Sequence, residues 1–335
     1  GEVGGVTMLS AVISAILLLP VELGLWTVRL FGRTKSASMA RREQTAPSAS
    51  NLAPALPERR EFIAQLAAGG AVTLGAGSAL YGTWIGRHDY TVETVPIRLE
   101  KLPRALDGLT ILQLSDLHVG TFVNEPELSA ALQLVRGARP DLIVLTGDLL
   151  DHNVAYAPML ARFTRSLQPL ARFGVFAVPG NHDHYAGAAA MMRALRKAGT
   201  EVLLNRHVRV GGQSASIVLA GLDDVAGKRF DSPGPRLDLA FSGAPRDAAR
   251  VLLSHNPSYF PTSHKLADLT LSGHTHGGQI TLFINPAELV LRHGLVRGHY
   301  QVEGSQLYVN RGFGTAGPPA RVGSTPEITR LVLHG

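Results

Sequence analysis

The chain has no cysteine among its 335 residues. That excludes a disulfide framework and any thiolate ligand, so a metal held by this protein must be held by nitrogen and oxygen donors. It is also compatible with an exported enzyme, which needs no disulfide to persist outside the cell. Charge is sparse: Asp, Glu, Lys and Arg together make 17% of the residues, against roughly one quarter in ordinary soluble domains. This length and apolarity fit one globular domain of roughly 240 residues plus an unusually apolar segment. The net charge of +6 comes partly from one basic stretch near the N-terminus. No groove of interleaved aromatic and basic residues can be read, so nucleic acid is not expected as a partner. Internal repeats are absent.

The apolar excess lies at the start of the chain. Val6 to Phe31 is almost continuously apolar, interrupted by Pro20 and Glu22; since about 20 such residues cross a bilayer, residues 1–31 are expected to form a transmembrane helix. Residues 32–61 read as a disordered linker in which Arg33, Lys35, Arg41, Arg42, Arg59 and Arg60 outweigh Glu43, Glu58 and Glu61. A second run, residues 62–84, is richer in Gly and Ala but long enough to span. It reads either as a second transmembrane helix or, with Arg59-Arg60 before it, as a twin-arginine-type signal region, cleaved near Ala76 to Ala79 or retained. For each run the plainer alternative is a buried core helix. Excess Lys and Arg keep a short loop in the cytoplasm, so both membrane readings leave the rest of the chain on the far side. The expected location is the cell membrane with an extracytoplasmic catalytic domain, and the lipid bilayer is an expected partner.

Five polar motifs follow, each at the end of an apolar run that reads as a short buried strand. Leu109 to Leu114 leads into Asp116-Leu117-His118, Leu142 to Leu145 into Gly147-Asp148-Leu149-Leu150-Asp151, and Val175 to Val178 into Gly180-Asn181-His182-Asp183. Val251 to Leu253 leads into Ser254-His255-Asn256, and Leu269 to Leu271 into Gly273-His274-Thr275-His276-Gly277. Ligands in open α/β sheets bind beyond the carboxyl ends of strands, so five motifs at five strand ends are expected to converge. Their carboxylate, imidazole and amide donors suit manganese, zinc or iron, and offer too much imidazole for calcium. The two-residue spacing in Asp116-x-His118 and His274-x-His276 puts both side chains on one side of an extended backbone. Four side chains around each of two divalent metal ions, sharing one carboxylate, would hold the pair about 3.5–4 Å apart, as suits in-line displacement at phosphorus.

From Thr91 to the C-terminus the chain resembles the calcineurin-like metallophosphoesterase superfamily, and within it a membrane-associated bacterial branch with an N-terminal hydrophobic segment and a Gly-His-Thr-His-Gly-Gly-Gln ending. The resemblance implies a four-layer α/β/β/α sandwich over residues 90–335. It implies Asp116, His118 and His276 as ligands of one metal, Asn181, His255 and His274 as ligands of the other, and Asp148 as the bridge. His182 matches the histidine that protonates the leaving oxygen, and Asp151 falls where some members keep a carboxylate that orients it. The implied activity is hydrolysis of a phosphate mono- or diester by a metal-bridging hydroxide, on a lipid or cell-envelope phosphoester. The alternative substrate is the pyrophosphate of a UDP-linked acylated sugar in lipid A synthesis, which is cytoplasmic and conflicts with the expected topology. Another class of alternative is a tethered metal-binding or scaffold protein without turnover; His182 and Asp151, which the ions do not need, argue against it.

One departure bears on substrate. Protein phosphatases of the superfamily continue the second motif with Arg-Gly, whereas Asp151 is followed here by His152 and Asn153, which counts against phosphoproteins. Gly277, Gly278 and Gln279 fit the membrane-associated branch, as do Tyr308 to Gly314 and Pro326 to Ile328, read as a closing strand and loop. Arg311 and Arg321 are candidates to touch a substrate phosphate. His152, His184 and His264 read as solvent-facing or supporting residues, and Asp223-Asp224 as a strand-end turn. Helices are expected over Glu125 to Arg139 and Ala188 to Lys197, and a hairpin over Val202 to Leu222 turning at Gly211-Gly212.

Overall fold

The computed structural model describes residues 59–335 apart from 213, 282–284, 286 and 289–290. The span expected at 1–31 and the linker as far as residue 58 lie outside the described residues. The chain divides into two units, Gly1–Thr83 and Trp84–Gly335. The first shows one helix, α1, Arg59–Trp84, whose last residue opens the second unit. Arg59, Arg60 and Glu61, expected in the disordered linker, are its first turn. At 26 residues α1 reaches about 39 Å. Yet among the described residues no helix is both long and apolar enough to cross a membrane. The run expected at 62–84, as a second transmembrane helix or a twin-arginine-type signal region, falls within α1, where Gly, Ala, Thr73 and Ser78 are interspersed with the larger apolar residues.

The second unit is built on two six-stranded mixed sheets. In the first, β1 (Thr91–Arg98) pairs in parallel with β12 (Glu327–His334), and β12 runs antiparallel to β2 (Thr110–Leu114). The sheet continues in parallel through β3 (Leu142–Thr146), β4 (Val175–Val178) and the two-residue β5 (Glu201–Val202). In the second, β7 (Ser216–Gly221), β8 (Arg250–Leu253), β9 (Leu269–Ser272) and β11 (Ser305–Val309) are parallel. Antiparallel edges close it: β6 (Arg206–Gly211) beside β7, and β10 (Gly298–Val302) beside β11.

Every residue of β2, β3, β4, β8 and β9 is buried, which is why these segments read as unbroken apolar runs. Side chains still alternate. Leu142 and Val144 enter the layer between the sheets with Ile217, Leu219, Val251, Leu253, Leu269 and Leu271. Ile143 and Leu145 face the opposite way, against three helices. These are α2 (Glu125–Ala138), α3 (Ala157–Leu167) and α5 (Ala188–Lys197), which follows the short α4 (Asn181–Ala186). Leu128, Ala131 and Val135 of α2, Leu160, Phe163 and Leu167 of α3, and Met191 and Leu195 of α5 supply that layer. The outer face of the second sheet carries thinner cover, with Leu237, Ala240 and Phe241 over Val218, Ala220 and Leu252. The mixed α/β, two-sheet architecture agrees with the expected sandwich.

Five strand ends deliver the motifs, but to two sheets rather than one: β2, β3 and β4 from the first, β8 and β9 from the second. Polar contacts lock the two carboxyl edges together. The buried Gln113 on β2 donates to the Thr146 hydroxyl on β3 and to the Ser272 carbonyl on β9, both at 2.9 Å.

Candidate metal centre

The backbone at the strand ends is unusual. Asp116, His118, Asp148, His274 and His276 have φ of 52°, 48°, 50°, 74° and 52°, in the left-handed region that non-glycine residues seldom enter. The expectation of an extended Asp116-x-His118 and His274-x-His276 is therefore corrected. Each pair does converge, but through left-handed turns that cost about 1–3 kcal/mol per residue and are held by surrounding hydrogen bonds. The Asp116 N–H donates to the Gly147 carbonyl at 3.0 Å, that of His118 to the Asp148 carbonyl at 2.9 Å, and that of His274 to the Asp116 carboxylate at 3.0 Å. Close approach of the loops requires glycine at two positions. A Cβ on Gly180 would overlap the Asp148 carboxylate, and one on Gly273 would overlap Ser115 and Asp116.

Side chains from these turns form two donor groups able to hold a cation: Asp116, His118 and His276; and Asp148, His255 and His274. In the first, the Nε2 atoms of His118 and His276 are 3.1 Å apart, and His276 Nε2 lies 3.4 Å from Asp116 Oδ1. In the second, His255 Nε2 is 3.2 Å from His274 Nδ1 and 3.2 Å from Asn181 Oδ1. Nitrogens bound at about 2.1 Å to one ion, with angles of about 90–110°, stand about 3.0–3.4 Å apart, so this spacing fits a shared cation. One oxygen, Asp148 Oδ2, faces both groups, 3.8 Å from His118 Nε2 and 3.2 Å from His255 Nε2. Burial pushes the pKa of His274 down, helped by the neighbouring His255, and that of His276 well down, helped by His118 and Arg321. Both rings therefore favour the neutral form that offers a lone pair. Burial alone would raise the pKa of Asp148, but His255 beside it holds it far below the carboxylate range.

His182 stands at the mouth. Its N–H donates to Asp148 Oδ1 at 2.8 Å, and its Nδ1 is 3.1 Å from the Asp151 carbonyl. Its ring meets that of His118 edge-on at 4.7 Å. The Asp151 carboxylate lies 3.8 Å from His182 Nδ1, 3.7 Å from His118 Nδ1 and 3.2 Å from His152 Nδ1. A third donor group, His118, Asp151 and His182, comes together here. What holds His182 within hydrogen-bond distance is thus the main-chain oxygen of Asp151, with its carboxylate farther off. Burial lowers the pKa of His182, partly offset by the Asp148 charge.

Strand-end turns that gather Asp, His and Asn into donor groups able to hold a cation point to metal-dependent phosphoester hydrolases. Residues 109–278 match the family model described as calcineurin-like phosphoesterase. The chain belongs to that family. A metallophosphoesterase of Aquifex aeolicus (strain VF5) is 34% identical over 267 residues, covering 79% of this chain and 98% of that protein. One from Bacillus subtilis (strain 168), YkuE, is 32% identical over 292 residues, covering 82% and 97%. A Danio rerio protein named as a transmembrane protein with metallophosphoesterase domain is 34% identical, covering 78% of this chain and 62% of that protein. The chain is thus a metal-dependent phosphoester hydrolase.

All nine candidate residues of this phosphoesterase come together at the site. The two arginines considered as phosphate ligands do not fit that role. Arg321 is 1% exposed, and its guanidinium donates to the carbonyls of Arg311, Gly312 and Gly314 and to His276 Nδ1 at 3.2 Å. Arg311 is paired with Glu93 at 2.7 Å and Glu327 at 2.8 Å. Arg321 is instead a buried brace for the turn that carries His276. Asp183, quoted in its motif without a role, is a second brace. Its fully buried carboxylate accepts the N–H groups of Leu149, Leu150 and Gly180 at 2.8–2.9 Å, joining the Asp148 turn to the His182 turn. Burial and the Asp148 charge push its pKa up to about 6. The available signal was its place in the first turn of a helix opened by glycine. His184, read as solvent-facing or supporting, is buried and 2.8 Å from Asp223.

Proposed function

We propose that this unit hydrolyses phosphate mono- or diesters at a dinuclear centre. Asp116, His118 and His276 hold one cation, Asn181, His255 and His274 the other, and Asp148 bridges them. The observation that carries the reading is the single Asp148 oxygen facing both donor groups. Manganese, zinc or iron bound there would activate water as the nucleophile and neutralise charge on the phosphoryl oxygens. The chain's own contribution is positional and acid–base. Asp148 fixes the backbone of His182, and the Asp151 carbonyl takes Nδ1, leaving Nε2 to deliver a proton to the departing oxygen. A depressed pKa makes the imidazolium a readier donor.

The substrate we favour is a lipid or cell-envelope phosphoester. Support comes from the apolar segment 6–31, the Lys- and Arg-rich linker, which between two crossings would leave the domain extracytoplasmic, and the name of the Danio rerio relative. His152, in place of the arginine of protein phosphatases, has a side chain 65% exposed at the mouth.

The test is turnover of an aryl phosphomonoester and diester by metal-stripped protein titrated with manganese, zinc or iron. Activity should return at about two ions per chain, and His182→Ala should lose about 10²–10⁴-fold in kcat. Unchanged turnover in His182→Ala, or an Asp148→Asn variant with full activity and full metal content, would overturn the assignment.

A further inference from the structure

Helix α4 carries more than His182. Tyr185, one residue beyond the buried His184, is 51% exposed, and its ring lies 5.4 Å from that of His182. Phe230, 45% exposed, lies 5.6 Å from Tyr185 on the other side. His152 stacks on His182 at 4.8 Å and 24°. Four rings, His152, His182, Tyr185 and Phe230, therefore form a continuous strip that starts at the donor groups and runs outward. It ends at a cleft of about 660 Å³ lined by Phe230, Met192, Leu204, Arg193 and Arg229, a size suited to a small-molecule moiety.

The strip is built rather than incidental. Phe230 follows the 3-10 turn Val225–Arg229, whose loop is tethered by the Asp223 carboxylate. That carboxylate accepts from the Ser232 hydroxyl at 2.6 Å and the Gly234 N–H at 2.9 Å, and is paired with His184 of α4 at 2.8 Å. One buried ion pair thus fixes the loop that carries Phe230 to the helix that carries His182 and Tyr185. Two large apolar rings held half in water, beside the residue that protonates the leaving oxygen, call for an occupant.

We propose that Tyr185 and Phe230 are the binding surface for the leaving group of the substrate, and that this leaving group is an apolar alcohol. The proposal rests on the phosphoesterase reading above. In that reaction the oxygen of water bonds to phosphorus, the P–O bond to the alcohol breaks, and His182 supplies the proton. The alcohol carbon chain is therefore bound to depart along the strip that begins at His182. Arg193, Arg229 and Asp231 line the same cleft, so charge of both signs is present there and selection rests on the apolar surface of Phe230, Met192 and Leu204.

The test uses metal-loaded full-length protein and primary alkyl phosphates from ethyl to octyl, whose alcohols are of similar basicity. A fully buried methylene is worth about three- to four-fold in affinity. On an open shelf about half of that free energy is expected, near two-fold per methylene, so octyl phosphate should exceed ethyl phosphate in kcat/KM by about 60-fold. In Phe230→Ala and Tyr185→Ala that ratio should fall by at least five-fold, and Phe230→Leu should restore most of it. Calorimetric binding of the matching alkylphosphonates reads the same slope without turnover. A flat series in the native protein, or an undiminished ratio in both alanine variants, overturns the inference. Loss of turnover with the binding slope intact would instead count against the hydrolytic reading alone.

Discussion

Removing the imidazole of His184 should be the most informative single perturbation outside the metal ligands. His184 and Asp223 are 2.8 Å apart with side chains 2% and 0% exposed, so His184→Ala leaves a buried carboxylate with the Ser232 hydroxyl and the Asp224 and Gly234 N–H groups as its remaining donors. Breaking a buried pair from one side costs about 3–5 kcal/mol. The three surviving hydrogen bonds favour the low end, and at about 2–4 °C per kcal/mol for a unit of this size, Tm should drop by about 6–12 °C. The cost should also depend on pH. Burial opposes the charge of His184, but Asp223 outweighs it and raises the pKa above 6.5. That contribution is complete below pH 6.5 and lost as pH rises through the raised value. Burial opposes the charge of Asp223 too, but His184 and Ser232 lower its pKa below 3.8, so its contribution is complete above pH 3.8 and lost as pH falls through the lowered value. The pair therefore stabilises most between about pH 4 and 6.5. Thermal unfolding of metal-free native and variant protein at pH 6 and pH 9 measures both effects. A difference below about 1 kcal/mol at pH 6, or an equal difference at the two values, would refute this reasoning.

Other expectations concern the centre itself. Gly180→Ala should lose the second cation and most activity, because its methyl group overlaps the Asp148 carboxylate; retained metal content by elemental analysis would contradict that. Manganese or zinc at about one hundred times its dissociation constant should stabilise the fold by about 2.7 kcal/mol per site, read as a rise in Tm that a chelator reverses. Arg321→Lys keeps the charge but cannot reach the Arg311, Gly312 and Gly314 carbonyls together. It should weaken metal binding through the His276 turn and cost at least about 3 kcal/mol, measured by denaturant unfolding and metal titration.

Much of this was legible from residue order because the buried parallel strands leave uninterrupted apolar runs and the motifs sit directly after them. Val175–Val178 and Ala188–Lys197 have the bounds expected of them, and the hairpin turns after Gly211 as expected. Helix α3 was missed although Leu160, Phe163 and Leu167 recur at helical spacing, because it follows closely on a ligand motif with Pro158 in its first turn. The pairing of Thr91 with Glu327 is a contact between distant segments that no local pattern announces. The left-handed turns at Asp116 and His276 carry no local signal, since Asp and His, though enriched there among non-glycine residues, adopt that conformation only in a small minority of positions. Arg321 is a candidate phosphate ligand by sequence because an isolated arginine in a glycine- and proline-rich stretch reads as a surface cation. Nothing local reveals that it is enclosed by carbonyl oxygens.

The two donor groups proposed to hold cations draw on both sheets: Asp116 and His118 meet His276, and Asp148 meets His255 and His274. During synthesis, neither cation position is complete until the ribosome has passed residue 276, well after the first sheet's ligands have emerged. A truncated or half-folded chain would present scattered histidines and carboxylates but no matched set, and so would compete poorly for scarce metal. Metal binding of this kind would therefore report that the two sheets have come together.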